Sequence, residues 1–365
     1  MEKGNIAGLI VAAGMSSRME DFKPLLPLDG KPILQHSIDN LRVGGAKSIM
    51  VVIGNRARDL QPLLESSQAG YVLNPQYSTT DMFTSVKIGL RQLARCDAVF
   101  FMPGDVPLFL PYSLQVMQRQ LQSPDVGWVQ PCYKGQSGHP VLIASVCFDT
   151  ILSYEGECGL QGALSICPGR HIGLDLPDKG CLLDADTPED YEELRAYVKL
   201  RKIPDDEICL EILKYFALPQ KTIDHGLMVA EMSEQLARRL TAAGHVLDLR
   251  LIRAGAILHD VAKGHKDHAR IGAQWIAEMG YPEVAEVISA HMDLAEESLL
   301  AMDEKAVVSL ADKYVKGCEH VTMDQRFASV FQRWRDDRLA YEAIVQRQDA
   351  AKRLEQRFQE LIQKI

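Results

Sequence analysis

Ile10-Val11-Ala12-Ala13-Gly14-Met15-Ser16-Ser17-Arg18-Met19-Glu20-Asp21-Phe22-Lys23-Pro24-Leu25-Leu26-Pro27-Leu28 decides how the rest of the chain is read. The apolar run from Ile6 to Ala12 reads as a buried strand, and it stops at a glycine and two serines. A glycine there allows backbone N–H groups to approach a ligand closely, and the turn leaves donors pointing outward. Arg18 and Lys23 set two cations beside those donors. Strand, small-residue loop and cations together suit a triphosphate, whose charge must be met by donors and cations at once. A lone glycine loop is equally an ordinary strand-to-helix turn with surface cations.

Working outward, 365 residues exceed one ordinary core and predict two or three domains. A composition of 47% hydrophobic and 24% charged residues excludes wholesale disorder. The net charge of -9 argues against an extended nucleic-acid or anionic-membrane surface, leaving room for a local phosphate site. Eight cysteines are scattered from Cys96 to Cys318 without a Cys-x-x-Cys pair, which predicts reduced thiols instead of a disulfide framework or zinc site. The N-terminus lacks a signal-peptide pattern, and no apolar run reaches the roughly 18 residues of a spanning helix. The expectation is a cytoplasmic protein with neither nucleic acid nor membrane as partner.

Up to about residue 198, apolar strands alternate with helical patterns. Ile6–Ala12, Ser48–Ile53, Ala98–Met102, Gly127–Pro131 and Val141–Ile143 read as strands, with helices such as 33–41 and 57–64 between them. This predicts an α/β domain over 1–200 with a mostly parallel sheet and helices on both faces, its ligand outside the carboxyl ends of the strands. Phe100-Phe101-Met102-Pro103-Gly104-Asp105-Val106-Pro107 delivers one carboxylate at a strand end, which suits Mg²⁺ or else caps the next segment. Leu183-Asp184-Ala185-Asp186-Thr187-Pro188-Glu189-Asp190 supplies further acids, and its Thr187-Pro188-Glu189 also reads as a helix start.

The opening stretch resembles the signature of nucleotidyltransferases of the molybdenum-cofactor cytidylyltransferase (MobA-like) type, Ala-Ala-Gly-x-Ser-x-Arg-Met followed by Lys and Leu-Leu-Pro-Leu. That resemblance implies a Rossmann-like nucleotidyltransferase sheet. It implies CTP or another NTP bound by Ala12, Ala13, Gly14, Ser16, Ser17, Lys23, Asn74, Ser85 and Gly104, with Arg18 and Lys23 catalytic. It gives Asp105 the catalytic magnesium and favours Asp184 as the second ligand. Gly138-His139-Pro140 resembles the family segment that borders a phosphorylated, molybdopterin-type acceptor. The Ala12-Ala13-Gly14 form resembles the cytidylyl branch more than the guanylyl branch. Two positions depart: Glu20 stands where the family usually has Gly, and Gln161 of Gly156-Glu157-Cys158-Gly159-Leu160-Gln161 stands where it often has Arg.

Lys202-Ile203-Pro204-Asp205-Asp206-Glu207 punctuates the chain and starts a new helix, which places a second domain over 205–330 and a terminal helix over 331–365. Beyond it the pattern reads entirely α-helical. Seven of the ten histidines lie between 225 and 320, and imidazole with carboxylate is a ligand set for Zn²⁺, Mn²⁺ or iron. The order His225, His259-Asp260, Asp312 resembles the HD superfamily of metal-dependent phosphohydrolases, and His268 with His291 resembles its dinuclear subset. The resemblance implies one or two divalent transition metals, an activated water and a phosphoester or nucleotide substrate. Lys263 either meets a phosphate oxygen or is a solvated lysine at a helix end. His245, His265 and His320 read as surface residues. The terminal helix carries apolar positions Leu339, Ile344, Leu354, Phe358 and Ile362, and either packs on a domain or forms a homo-oligomer seam.

The reading is therefore a bifunctional enzyme: transfer of CMP from CTP to molybdopterin with release of pyrophosphate, plus an HD phosphohydrolase. Its alternative has a sugar- or alcohol-phosphate acceptor, with the HD domain a nucleotide-binding regulatory module.

Overall fold

The structure is a computed structural model that describes residues 4–14, 21–334 and 337–363. The chain divides into two compact units, Met1–Arg201 and Lys202–Ile365.

In the first unit β1 (Ile6–Ala12) is buried along its whole length. A strand covered on both faces has no solvent side to be polar, so its sequence is one apolar run. There follow β2 (Pro27–Leu28), β3 (Lys31–Pro32), α1 (Ile33–Val43), β4 (Ser48–Ile53), α2 (Ala57–Ser66), β5 (Gly70–Leu73), α3 (Met82–Gln92), β6 (Ala98–Pro103) and α4 (Pro111–Gln120). The unit ends with β7 (Val126–Tyr133), β8 (Gln136–Ser137), β9 (Val141–Ala144), α5 (Phe148–Ser153), α6 (Gly159–Ser165), β10 (Arg170–Asp175) and α7 (Pro188–Leu200). The main sheet runs β10-β7-β9-β6-β1-β4-β5, with β8 beside β7. β1 lies parallel to β4 and β6, β4 to β5 and β10 to β7, whereas β9 runs against β6 and β7.

Helices cover both faces. Ala7, Leu9 and Val11 share a buried cluster with Phe83, Val86 and Leu90 of α3, Ile151 of α5 and Leu164 of α6. On the other face Gly8 lets α1 come close, since a Cβ built there would sit 2.8 Å from Leu41 Cδ1. Each such Leu or Ile, fully buried, contributes about 1.5–3 kcal/mol. The edge strands β5 and β10 escaped the sequence reading because they are largely exposed and lack the apolar run of an interior strand.

The chain goes from β1 to β4 and β5 on one side, then returns to β6 on the other side of β1. At such a switch the carboxyl ends of the strands open a crevice. Val11 pairs with Pro103, and Gly104 N–H donates to the Val11 carbonyl at 2.9 Å. The two strand ends therefore deliver Ala12–Gly14 and Gly104–Asp105 to one place.

The second unit comprises α8 (Asp206–Tyr215), α9 (Gln220–Ala242), α10 (Leu249–Leu258), α11 (His268–Glu278), α12 (Pro282–Ala290), α13 (Glu296–Ala301), α14 (Glu304–Lys313), β11 (Val315–Lys316), β12 (Glu319–His320), α15 (Met323–Arg333) and α16 (Arg338–Ile362). Asp205 caps α8 by accepting from Ile208 N–H at 2.9 Å, as its Pro-Asp start predicts. An entirely helical reading needs one correction. β11 and β12 form an antiparallel pair of two-residue strands, too short to leave a period in the sequence. The terminal helix packs on its own unit: Ile344, Leu354 and Phe358 are buried, and Arg239 lies 5.2 Å above the Phe358 ring. Leu339 stays exposed. All eight cysteines are free. Among the described residues no helix is long and apolar enough to cross a membrane.

Candidate functional site

A cleft of about 330 Å³ opens at the ends of β1 and β6, lined by Ala12, Ala13, Gly14, Lys23, Tyr77, Ser85, Gly104, Asp105 and Asp186 among others. Lys23 reaches it from a short turn of 3₁₀ helix, Lys23–Leu25, that follows the buried Phe22. Its ammonium stands 3.3 Å from Asp105 Oδ2 and 2.7 Å from Asp186 Oδ1. Burial works against the Lys23 charge, but hydrogen bonds and attraction from Asp186 and Asp105 outweigh it and hold the ammonium above its ordinary range. Burial pushes the Asp105 carboxyl up; Lys23 opposes that shift and Asp186 adds to it. Two carboxylates crowded against a cation, outside strand ends that offer backbone N–H groups, form a donor set that fits Mg²⁺ and phosphate oxygens.

Of the two acids after Leu183, Asp186 lines the cleft and Asp184 does not. Asp184 Oδ1 instead accepts from Asp186 N–H at 3.0 Å. Asp184 still lies close enough that, after burial, the charges of Asp105 and Asp186 raise its carboxyl. Thr187 and Asp190 form the capping box of α7, so the helix start read from Thr187-Pro188-Glu189 is present one residue beyond Asp186. Asn74, 1% exposed, does not line the cleft; its amide donates to Ser85 Oγ at 3.0 Å and Thr80 Oγ1 at 3.2 Å, bracing the Ser85 that does.

Gly138-His139-Pro140 is not brought to this cleft. Gly138 N–H donates to Pro131 and His139 N–H to Cys181, both at 2.8 Å. Burial pulls the His139 imidazole down to about 4 despite the Phe101 backbone, which keeps it neutral. Gln161 is exposed on α6. Ser16, Ser17 and Arg18, with Glu20, lie outside the described residues.

The second site is built from helix ends. His225 belongs to α9, His259 and Asp260 follow α10, His268 opens α11, His291 follows α12 and Asp312 sits in α14. All but His268 are buried. Asp312 Oδ1 is 3.3 Å from His225 Nε2 and 3.8 Å from His259 Nε2. Asp260 Oδ2 is 3.4 Å from His259 Nε2, and its Oδ1 is 3.5 Å from His268 Nε2. His291 Nε2 lies 3.3 Å from His268 Nε2. The ligand atoms of His225, His259 and Asp260, and again of Asp260, His268 and His291, lie within 4.8 Å of one another, so Asp260 is common to both sets.

The rings are oriented from behind. Nδ1 of His225 bonds to the Gly317 carbonyl at 2.9 Å, that of His259 to Ala256 at 2.7 Å, and that of His291 to Ile288 at 2.6 Å. A carbonyl accepts only from N–H, so each Nδ1 carries a proton, and the inward-facing Nε2 is the atom the ring, when neutral, offers to a metal. His259 Nε2 is buried with no hydrogen-bond partner, a costly arrangement that a metal would relieve. Burial, reinforced by His259, pulls His291 down to about 3, which keeps it a neutral ligand. Burial opposes ionisation of Asp260 and Asp312, yet their cationic neighbours, led by His259 and Lys313 respectively, hold both well below the usual carboxylate range.

Lys263 pairs with Asp260 Oδ2 while its side chain stays half exposed. The sequence reading missed two cations on Asp312: Lys313 Nζ at 2.8 Å from Oδ2 and Arg326 Nη2 at 3.3 Å from Oδ1. Nothing local marks Arg326, which lies on another helix 14 residues downstream. His265 and His320 are exposed, and His245 is half-buried.

Gly226, beside His225, lets α9 approach α10, because a Cβ there would lie 2.6 Å from the Ile257 carbonyl oxygen. Gly226→Ala should therefore part His225 from His259, lowering stability by about 1–3 kcal/mol and weakening metal retention. Thermal melting and metal analysis of the variant check this.

Residues 8–171 match the MobA-like NTP transferase domain family, and residues 222–317 match the HD domain family. Molybdenum cofactor cytidylyltransferase of Escherichia coli (strain K12) is 28% identical over 184 residues, 50% of this chain and 92% of that protein. CMP-5'-(3-aminopropyl)phosphonate synthase of Streptomyces rubellomurinus is 32% identical over 133 residues, 34% of this chain but only 20% of that protein. Among solved structures, a nucleotidyl transferase from Methanothermobacter thermautotroptrophicus superposes with a TM-score of 0.46 at 19% identity, covering 54% of this chain and 98% of that one.

Proposed function

From a chain that carries a MobA-like NTP transferase domain followed by an HD domain, we propose a bifunctional enzyme. Its first unit transfers CMP from CTP to a molybdopterin-type acceptor and releases pyrophosphate; its second is a metal-dependent phosphohydrolase. The observation that carries the first half is the Lys23 ammonium held between Asp105 and Asp186 in the cleft.

Asp105 and Asp186 would hold Mg²⁺, with the Asp184 carboxylate bracing the Asp186 backbone by accepting its N–H. The bound ion supplies charge neutralisation for the triphosphate. Backbone N–H groups of the Ala12–Gly14 segment would donate to phosphate oxygens, Gly104, whose own N–H is taken by the Val11 carbonyl, would border them, and Lys23 would stabilise the charge that builds on the transferring group. Ser85, held by Asn74, borders the nucleotide. By motif alone, phosphate binding is assigned to Ser16, Ser17 and Arg18, and acceptor binding to Gly138, His139 and Pro140. An acceptor phosphate oxygen bonds to the α-phosphorus as the bond to pyrophosphate breaks, and no protein nucleophile intervenes.

The cytidylyl donor and the molybdenum-cofactor acceptor are supported by the name of the Escherichia coli relative. A second reading keeps CTP but takes another phosphorylated or phosphonate acceptor. It is favoured by the Streptomyces relative's name and by the uncharged, exposed Gln161.

In the helical unit the orphaned His259 Nε2 carries the metal reading. His225, His259, Asp260 and Asp312 would hold one ion, and Asp260, His268 and His291 a second, in a donor set that suits Mn²⁺, iron or Zn²⁺. Such ions supply Lewis acidity and an activated water for attack on a phosphoester. Lys263, half exposed beside Asp260, would meet a substrate phosphate. As a regulatory module instead, this unit would bind a nucleotide tightly without turnover.

The test measures pyrophosphate release with Mg²⁺, molybdopterin and each of CTP, GTP and ATP, then repeats the best nucleotide with sugar- and alcohol-phosphate acceptors. Release with CTP and molybdopterin is the expected result. Release only with another acceptor selects the second reading, and none with any nucleotide sinks both.

A further inference from the structure

The HD match ends at residue 317, but the contacts of its metal-ligand cluster continue beyond it. We infer that Arg326, on α15, is a positioning residue for the His225–Asp312 half of the metal centre, so that the working metal-binding unit extends through α15. The inference rests on the metal reading of the preceding section.

Arg326 joins two parts of the site with one rigid group. Its Nη2 donates to Asp312 Oδ1 at 3.3 Å and its Nη1 to the Val315 carbonyl at 3.0 Å. Val315 begins β11, and two residues on, the Gly317 carbonyl accepts from His225 Nδ1 at 2.9 Å. Gly317 adopts φ +62, a turn conformation suited to glycine, and β11 pairs with β12 around it. A single guanidinium thus orients the carboxylate of one ligand and anchors the strand whose turn fixes the ring of another.

The support is itself fixed. Thr322 and Gln325 form a capping box at the start of α15, and Arg326 N–H donates to the Thr322 carbonyl at 2.9 Å. Met323 and Phe327 bury the helix on either side of Arg326. The planar fork holds two acceptors in fixed directions from two separate nitrogens, a geometry that the single nitrogen of a lysine does not reproduce. Simple neutralisation of Asp312 does not require Arg326, because Lys313 Nζ already lies 2.8 Å from the other carboxylate oxygen.

The two roles differ in sign. A cation that only neutralises Asp312 competes with a metal, so its removal tightens binding. A positioning group leaves its ligands poorly oriented when removed, which weakens binding by about 10–100-fold.

The full-length chain, stripped with a chelator, is titrated with Mn²⁺ by calorimetry as wild type, Arg326→Ala, Arg326→Lys and His268→Ala. Arg326→Ala should weaken one class of site by about 10–100-fold and spare the class that His268→Ala removes. Arg326→Lys should recover only part of the loss. Melting curves and CTP-dependent transfer on the same samples report the fold. Unchanged or tighter Mn²⁺ binding in Arg326→Ala, full rescue by lysine, or loss of both classes with a lowered melting temperature overturns the inference. Wild type that takes up no Mn²⁺ overturns the metal reading itself.

Discussion

Asp105→Asn is expected to lower nucleotidyl transfer by about 10³-fold while leaving the metal content of the helical unit unchanged. Asp105 stands two residues beyond the end of β6, where the parallel pairing with β1 aims it into the cleft beside Lys23. The amide keeps the shape but loses the charge that a divalent ion requires. Stability should move the other way or not at all. Burial holds the Asp105 carboxyl above its ordinary range, so its ionised form costs the folded state free energy that the amide does not. Lys23 keeps Asp186 as a partner in the variant. Pyrophosphate release at saturating CTP, read beside a melting curve, separates the two effects. A large loss of activity accompanied by a collapse in melting temperature would point to a structural role instead.

Asp260→Asn should strip both ions from the second site. Asp260 is the one carboxylate common to both ligand sets, with Oδ2 beside His259 and Oδ1 beside His268. Losing the charge of a shared ligand weakens both positions, so phosphoester hydrolysis should fall by more than the roughly 10–100-fold typical when only the residues that orient ligands are changed. The variant also leaves Lys263 facing a neutral amide, and its half-exposed side chain can turn to solvent. CTP-dependent transfer should persist in the same preparation. Metal analysis after dialysis, set beside turnover of a generic phosphoester, checks the prediction.

The fold of the first unit was legible because interior parallel strands leave an unmistakable trace. Ile6–Ala12 is apolar throughout since both of its faces are buried. β5 and β10 leave no such trace, as edge strands half in solvent. Asp105 could be read because glycine and prolines frame it at a strand end. The choice between Asp184 and Asp186 could not be made from spacing, because alternate residues of an extended segment share a face. Their contacts differ: Asp184 Oδ1 accepts from Asp186 N–H, whereas Asp186 pairs with Lys23 in the cleft. In the helical unit the six ligand-type residues were legible as a cluster of unusual composition at helix ends. Lys313 and Arg326 were not, since a basic residue on an amphipathic helix looks like ordinary surface until its helix is packed.

The most direct test of two independent chemistries in one chain is ³¹P NMR on wild type, Asp105→Asn and Asp260→Asn. Each sample holds Mg²⁺, Mn²⁺, CTP, molybdopterin and a phosphoester. Pyrophosphate should appear in wild type and Asp260→Asn but not in Asp105→Asn, and free phosphate from the ester in wild type and Asp105→Asn but not in Asp260→Asn. If Asp105→Asn still makes pyrophosphate at the wild-type rate, or Asp260→Asn still cleaves the ester, the corresponding site has been wrongly assigned.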